Sequence, residues 1–218
     1  FIANASSQDK LFTIIDPDQT GIHFSNDLID TKENNVFLYA NFYGGAGVGV
    51  GDFDNDGLDD LFFAGNLVAD KIYKNLGNFK FQDKTSNSGI INDSSWSTGV
   101  TVADVNNDGL LDIYVSCELY DDQPKLRTNK LYINKGNFKF EELAAEWNVD
   151  VDRRTRHAVF FDYNKDGLLD LYLLNHPPNT GNFSPFLGTD MKLPEYNLQL
   201  FENKEGYFED VTAKAGLD

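Results

Sequence analysis

The stretch GDFDNDGLDDLFF, residues 51–63, places five aspartates within nine positions and then runs into an apolar Leu-Phe-Phe. Like charges crowded into one turn repel each other and lose hydration, so the pattern needs a compensating charge. A divalent cation supplies it: Asp at alternate positions turns several carboxylates inward, and Gly57 lets the backbone bend sharply around them. Two further copies share the spacing, ADVNNDGLLDIYV at 103–115 and FDYNKDGLLDLYL at 161–173. All three fit Asp-x-[Asp/Asn]-x-Asp-Gly-x-x-Asp.

The first aspartates of successive loops, Asp52, Asp104 and Asp162, lie 52 and 58 residues apart, a period that suits about four short strands with their turns. Upstream of each loop is a short alternating run: GVGVGD, GVTVAD and HAVFFD. Downstream of each, a second phrase recurs from Asp70, Asn129 and Asn197, pairing an apolar-aromatic strand with a Gly-containing turn and another alternating strand, the signature of a hairpin. One unit is therefore strand, acidic loop, strand, hairpin. The expected fold is all-β, with three four-stranded units and only the stretch EELAAEWNV offering a turn or two of helix.

These units resemble the FG-GAP or VCBS repeats of integrin α-type β-propellers, in which each repeat is one blade and the loop between its first two strands holds calcium. Phrases such as TGIHFSNDL and WSTGVTVADVNNDGLLDIYV further resemble large surface lipoproteins of the Bacteroidota. Carried to this chain, the resemblance implies ligands Asp52, Asp54, Asp56, the Leu58 carbonyl and Asp60 in the first loop. In the second it implies Asp104, Asn106, Asp108, the Leu110 carbonyl and Asp112, and in the third Asp162, Asn164, Asp166, the Leu168 carbonyl and Asp170. About three Ca2+ ions are expected. The all-oxygen donor set suits calcium, which accepts an irregular shell of about 6–8 ligands.

Other readings of the loops are weaker. An EF-hand needs a bidentate Glu at its twelfth position and flanking helices; the twelfth positions here are Phe63, Val115 and Leu173, in strand-like runs. Asp/Asn/Gly turns without metal do not require an acid three residues past the glycine. A catalytic carboxylate pair would be a single site, not three. The first loop carries four formal charges at its ligand positions and the others three each, so ligand charge alone puts the first loop highest in affinity.

A propeller closes with about 4–8 blades, so three are expected to form a partial ring completed by further sequence or by a partner. The expected layout of the single domain is a lead-in at 1–40 and blades at 41–92, 93–150 and 151–218. LFTIIDPDQTGIHF, residues 11–24, is similar to the blade ending YFEDVTAKAGL and is expected to be the last strand and exit turn of a neighbouring blade. A start at Phe1 is expected to follow removal of a signal peptide or lipidated cysteine.

The net charge of −17, which three calcium ions would bring to −11, disfavours nucleic acid as a partner. No apolar run approaches 18 residues, so the segment has no membrane span. The lone Cys117 sits in strand-like IYVSCEL and reads as a buried thiol. Low-affinity oxygen sites fill outside the cytosol, which places the chain at a cell surface, in the periplasm or in the extracellular space. Recognition would fall to the longer connections, 118–129 and 175–197, the latter with Phe183, Phe186, Leu187 and Met191 either anchoring a partner or packing back. GGAGVG, residues 44–49, precedes a strand and reads as close backbone packing. His23 and His176 lack partners for a zinc set; His157 lies among Arg153, Arg154 and Arg156.

Two functional classes follow. One is a calcium-stabilised module that binds or scaffolds a protein or glycan, as part of a larger outer-membrane assembly. The other is a polysaccharide lyase or glycoside hydrolase, for which Arg156 and His157 are the only candidate pair.

Overall fold

A computed structural model describes residues 12–39, 41–119, 124–176 and 198–217. Its strands form three four-stranded antiparallel sheets in sequence order. The first holds β1 (Val48–Gly51), β2 (Asp60–Phe63), β3 (Lys71–Asn75) and β4 (Phe81–Asp83). The second holds β5 (Trp96–Ala103), β6 (Asp112–Glu118), β7 (Lys130–Asn134) and β8 (Phe140–Glu142). The third holds β9 (Thr155–Phe161), β10 (Asp170–Asn175), β11 (Gln199–Asn203) and β12 (Phe208–Asp210). Each acidic loop joins the first two strands of its sheet, closed by the facing pairs Gly51 and Asp60, Ala103 and Asp112, and Phe161 and Asp170. This is the arrangement of partial β-propeller blades.

The sheets stack through two apolar layers. Phe53, Phe62 and Ile72 meet Ile113, Val115, Tyr132 and Phe140 between the first and second sheets. Tyr114, Leu131, Ile133 and Trp147 meet Leu171, Leu173, Phe201 and Phe208 between the second and third. The middle sheet is therefore covered on both faces, and β6 and β7 are buried at every position. Their unbroken burial follows from that double cover, whereas β1 alternates exposed and buried residues. Close approach of β1 and β5 depends on glycine: a Cβ at Gly49 would lie 2.7 Å from Val100 Cγ1. GGAGVG thus leads into a tightly packed strand, as its composition indicated.

Exit turns join neighbouring sheets. Ser88 O accepts a hydrogen bond from Phe140 N at 2.6 Å, and Trp147 O accepts one from Phe208 N at 2.9 Å. EELAAEWNV forms the second of these turns, its Trp147 N donating to Leu143 O at 3.0 Å. Gly89 and Asn148 are left-handed at these turns, with φ of 92° and 58°.

The N-terminal segment differs from its expected strand. The described residues between 12 and 47 form no strand; α1 (Pro17–Thr20) stands instead, capped by the Asp16 side chain. A strand needs a ladder partner, and Phe12 and Ile14 are exposed with none beside them among the described residues. The turn itself is present: Gly21 is left-handed, and a Cβ there would lie 2.5 Å from Phe81 O, much as one at Gly89 would lie 2.1 Å from Phe140 O. Gly21 therefore meets the first sheet as an exit-turn glycine does. Of the long connections, 118–129 contains α2 (Pro124–Arg127), whereas Phe183, Phe186, Leu187 and Met191 lie outside the described residues.

Cys117 is fully buried, and burial pushes its thiol up to about 12, which makes it a poor nucleophile. Asp70 is buried nearby, accepting from Gly65 N at 2.8 Å and Ser97 Oγ at 3.2 Å. Burial raises its carboxyl from 3.8 to about 6, against the nearby charge of Lys130. The folded state thus holds this proton more tightly than the unfolded one, and stability falls as pH rises through the window from about 4 to about 6. Urea unfolding of wild type and Asp70→Asn at pH 4 and pH 7 will show the wild type losing about 1–3 kcal/mol relative to the variant over that interval.

Candidate metal centre

The three acidic loops share one hydrogen-bond pattern. The first-position carboxylate accepts two backbone N–H groups: Asp52 from Asp56 N at 3.0 Å and Gly57 N at 2.7 Å, Asp104 from Asp108 N at 3.1 Å and Gly109 N at 2.8 Å. Asp162 accepts from Asp166 N and Gly167 N, both at 3.1 Å, and also from Lys165 N at 2.6 Å. The fifth-position acids Asp56, Asp108 and Asp166 accept from the N–H groups of Leu58, Leu110 and Leu168 at 2.8–2.9 Å. Such closure needs left-handed backbone at the glycines, with φ of 88°, 84° and 91° at Gly57, Gly109 and Gly167. The fourth positions, Asn55, Asn107 and Lys165, are left-handed as well.

The ninth-position carboxylates reach furthest. Asp60 accepts from Phe53 N at 2.9 Å and Asn75 N at 2.7 Å, Asp112 from Val105 N at 2.9 Å and Asn134 N at 2.8 Å, and Asp170 from Tyr163 N and Asn203 N, both at 2.9 Å. Each thereby ties its loop to the third strand of its own sheet. Burial raises all three carboxyls, Asp60 to about 6 and Asp112 to about 7, although the backbone donors favour the charged form. A divalent cation in the loop would counter both the burial cost and the mutual repulsion.

The third positions distinguish the loops. Asn106 and Asn164 each donate from Nδ2 to the fifth-position carboxylate, at 2.9 and 2.8 Å, and accept its N–H through Oδ1, at 3.0 and 2.9 Å. Asp54 instead contacts the Lys74 ammonium, which also meets Asp56 Oδ2 at 2.7 Å. That contact holds the Asp56 carboxyl below its usual value.

The residues of the first loop fit a hard cation. Oxygens of Asp52, Asp54 and Asp60 lie within 4.8 Å of one another, and Asp54 Oδ1 is a buried acceptor with no hydrogen-bond partner. An all-oxygen set with an unused inward acceptor is the donor chemistry calcium takes. Among the described residues this is the one group of carboxylates gathered so closely; Asp56 stands outside it, and the acids of the second and third loops do not form one.

Three features escaped the motif reading. Asn134 Nδ2 donates to Leu111 O at 3.0 Å and across to Phe53 O of the first sheet at 2.9 Å, while its Oδ1 accepts from Gly136 N at 2.8 Å. Asn203 repeats this with Leu169 O at 3.0 Å, Val105 O of the second sheet at 2.9 Å and Glu205 N at 3.0 Å. The signal was visible as the Asn shared by YKNLG, YINKG and FENKEG. Lys74 is the second feature. The third is a polar cluster around the buried Glu118, which meets Tyr39 and Arg156 through one oxygen and His176 Nε2 at 2.5 Å through the other. Glu118 ends β6, about 20 Å from the acidic loop at the start of that strand. Arg156 is engaged there, whereas the next residue, His157, is exposed beside Gly99; the two do not form a pair.

Stacked four-stranded sheets with an acidic loop between the first two strands of each define a β-propeller-type repeat protein. Residues 52–115 match the family described as FG-GAP-like repeat. Cartilage acidic protein 1 of Xenopus tropicalis is 26% identical to it over 178 residues, which cover 80% of this chain and 27% of that relative. The chain thus spans about a quarter of the relative it matches.

Asn134→Ala leaves Phe53 O, Leu111 O and Gly136 N without their side-chain partner. Urea denaturation will show a loss of about 2–3 kcal/mol relative to wild type, the cost of stranding buried polar groups.

Proposed function

We propose that this chain is a calcium-stabilised segment of a β-propeller that binds or scaffolds a protein or glycan outside the cytosol. The observation that carries this reading is the threefold recurrence of one acidic loop whose backbone N–H groups orient the carboxylates, with Asp54 Oδ1 left as a buried acceptor. When bound, calcium supplies positive charge among the clustered carboxylates. The chain's own residues do the rest: Asp52, Asp104 and Asp162 fold the loop around itself, and Asp60, Asp112 and Asp170 transmit its closure to the third strand. Binding free energy then stabilises the sheet, because the unfolded chain offers no formed site.

The location belongs to the same proposal. Sites of this kind fill at extracellular calcium levels, and the relative's name associates that protein with cartilage. Placement on a bacterial outer membrane rests on the sequence phrases alone. Among the described residues no helix is long and apolar enough to cross a membrane. The hydrolase or lyase reading relied on Arg156 with His157, and Arg156 is instead joined to Glu118 and Tyr39.

Calorimetric melting in millimolar calcium and in excess chelator tests the proposal. The midpoint will fall by at least about 5 °C on chelation, the shift that about 2 kcal/mol produces in a domain of this size. Identical melting curves would reject it.

A further inference from the structure

We propose that position 74 sets the calcium dependence of the first loop, with Lys74 acting as a tethered counter-ion beside the loop that weakens its hold on calcium relative to the other two. The inference rests on the calcium reading above. It reverses the ranking that loop charge alone suggests.

Strand register makes Lys74, Ile133 and Glu202 equivalent. Each precedes the clamp asparagine, and they face Gln82, Glu141 and Glu209 on the fourth strands. Lys74 reaches Asp54 and Asp56 of the first loop. Glu202 reaches the matching place in the third loop, where Asn164 Nδ2 donates to it at 3.2 Å and Tyr163 OH at 3.4 Å. Ile133 is buried in the apolar layer between the second and third sheets and brings no charge. Three loops with one backbone pattern thus carry three different side chains on the adjoining strand: cation, hydrocarbon and anion.

Lys74 is held in place. Its ammonium lies 5.5 Å from the centroid of the Phe138 ring, and its side chain is only 20% exposed. It also cancels one of the four formal charges at the ligand positions of the first loop, leaving three, the same as in the second. A divalent ion among Asp52, Asp54 and Asp60 would lie beside this ammonium, so binding must either displace Lys74 or bear like-charge repulsion. Glu202 does not make the third loop correspondingly more acidic, because Lys204 contacts it and Lys214 lies 3.6 Å away. Among the described residues no lysine or arginine forms an ion pair with Asp104, Asp108, Asp112, Asp162, Asp166 or Asp170. Among the described residues the second and third loops thus show no ion pair like that of Lys74 with the first.

The test is isothermal titration of calcium chloride into the calcium-depleted chain. Wild type will show one site at least about tenfold weaker than the others, and Lys74→Met, which keeps the stem over Phe138 without the charge, will tighten that site by about tenfold. Lys74→Arg will leave it weak, and Asp54→Asn in the Lys74→Met background will remove the gain. Glu202→Lys, which moves the lysine to the third loop, will weaken one of the tight sites and keeps the test open if Lys74→Met fails to fold. In excess chelator Lys74→Met will melt below wild type, since its first loop has lost its only counter-ion. A weakest site indifferent to residue 74, or three sites of equal affinity in wild type, would overturn the inference while leaving calcium binding intact. No binding in any of these proteins would instead reject the calcium reading itself.

Discussion

The structure depends on a carboxylate whose two oxygens are claimed by a loop and by a strand. Asp112 ends the acidic loop at the first residue of β6, accepts the N–H of Val105 inside that loop, and accepts the N–H of Asn134 at the end of β7. Asn134 then reaches the carbonyl of Phe53 in the preceding sheet. One buried acid and one buried amide thus couple loop closure, hairpin position and the seam between sheets. Asp170 and Asn203 repeat the device one sheet further on. Removing any member strands donors or acceptors where water cannot reach them, which explains why polar residues persist in so apolar a setting.

Seen this way, the acidic loops have two jobs. The first and fifth positions shape the loop locally, through bonds that span no more than five residues. The ninth position works at long range and connects the charged turn to the core. That division accounts for the positions at which asparagine substitutes for aspartate. Asn106 and Asn164 occupy third positions, where an amide can donate to the neighbouring carboxylate. The ninth positions are Asp in every loop, where both oxygens must accept.

Much of this was legible in the sequence, because repetition turned a weak local signal into a strong one. Three copies of an acidic turn, each flanked by alternating runs, fixed the strand order and the place of each loop. Glycine-rich GGAGVG was equally readable, since a residue without Cβ beside Val100 has a steric cause. What was not legible depends on contacts between units. Lys74 and Glu202 look like ordinary charged residues of alternating strands until the fold sets them against loops 20 and 38 positions away. Glu118, Tyr39, Arg156 and His176 come from four separate segments and share no motif. The N-terminal phrase resembled a blade ending, and its turn took the expected place, but ladder pairing is not a property of one segment alone.

The distribution of residue size across the sheets has a geometric consequence. Gly49, Gly51 and Gly99 lie on the first strands, where adjacent sheets come so close that even a methyl group would collide. Phe140, Trp147 and Phe208 lie towards the fourth strands, where rings fill the gap. Thin material along one margin and thick material along the other makes each layer a wedge, and stacked wedges fan into an arc. The taper is therefore encoded side chain by side chain. Enlarging a residue at the narrow margin would open the fan and change how many such layers complete a circle.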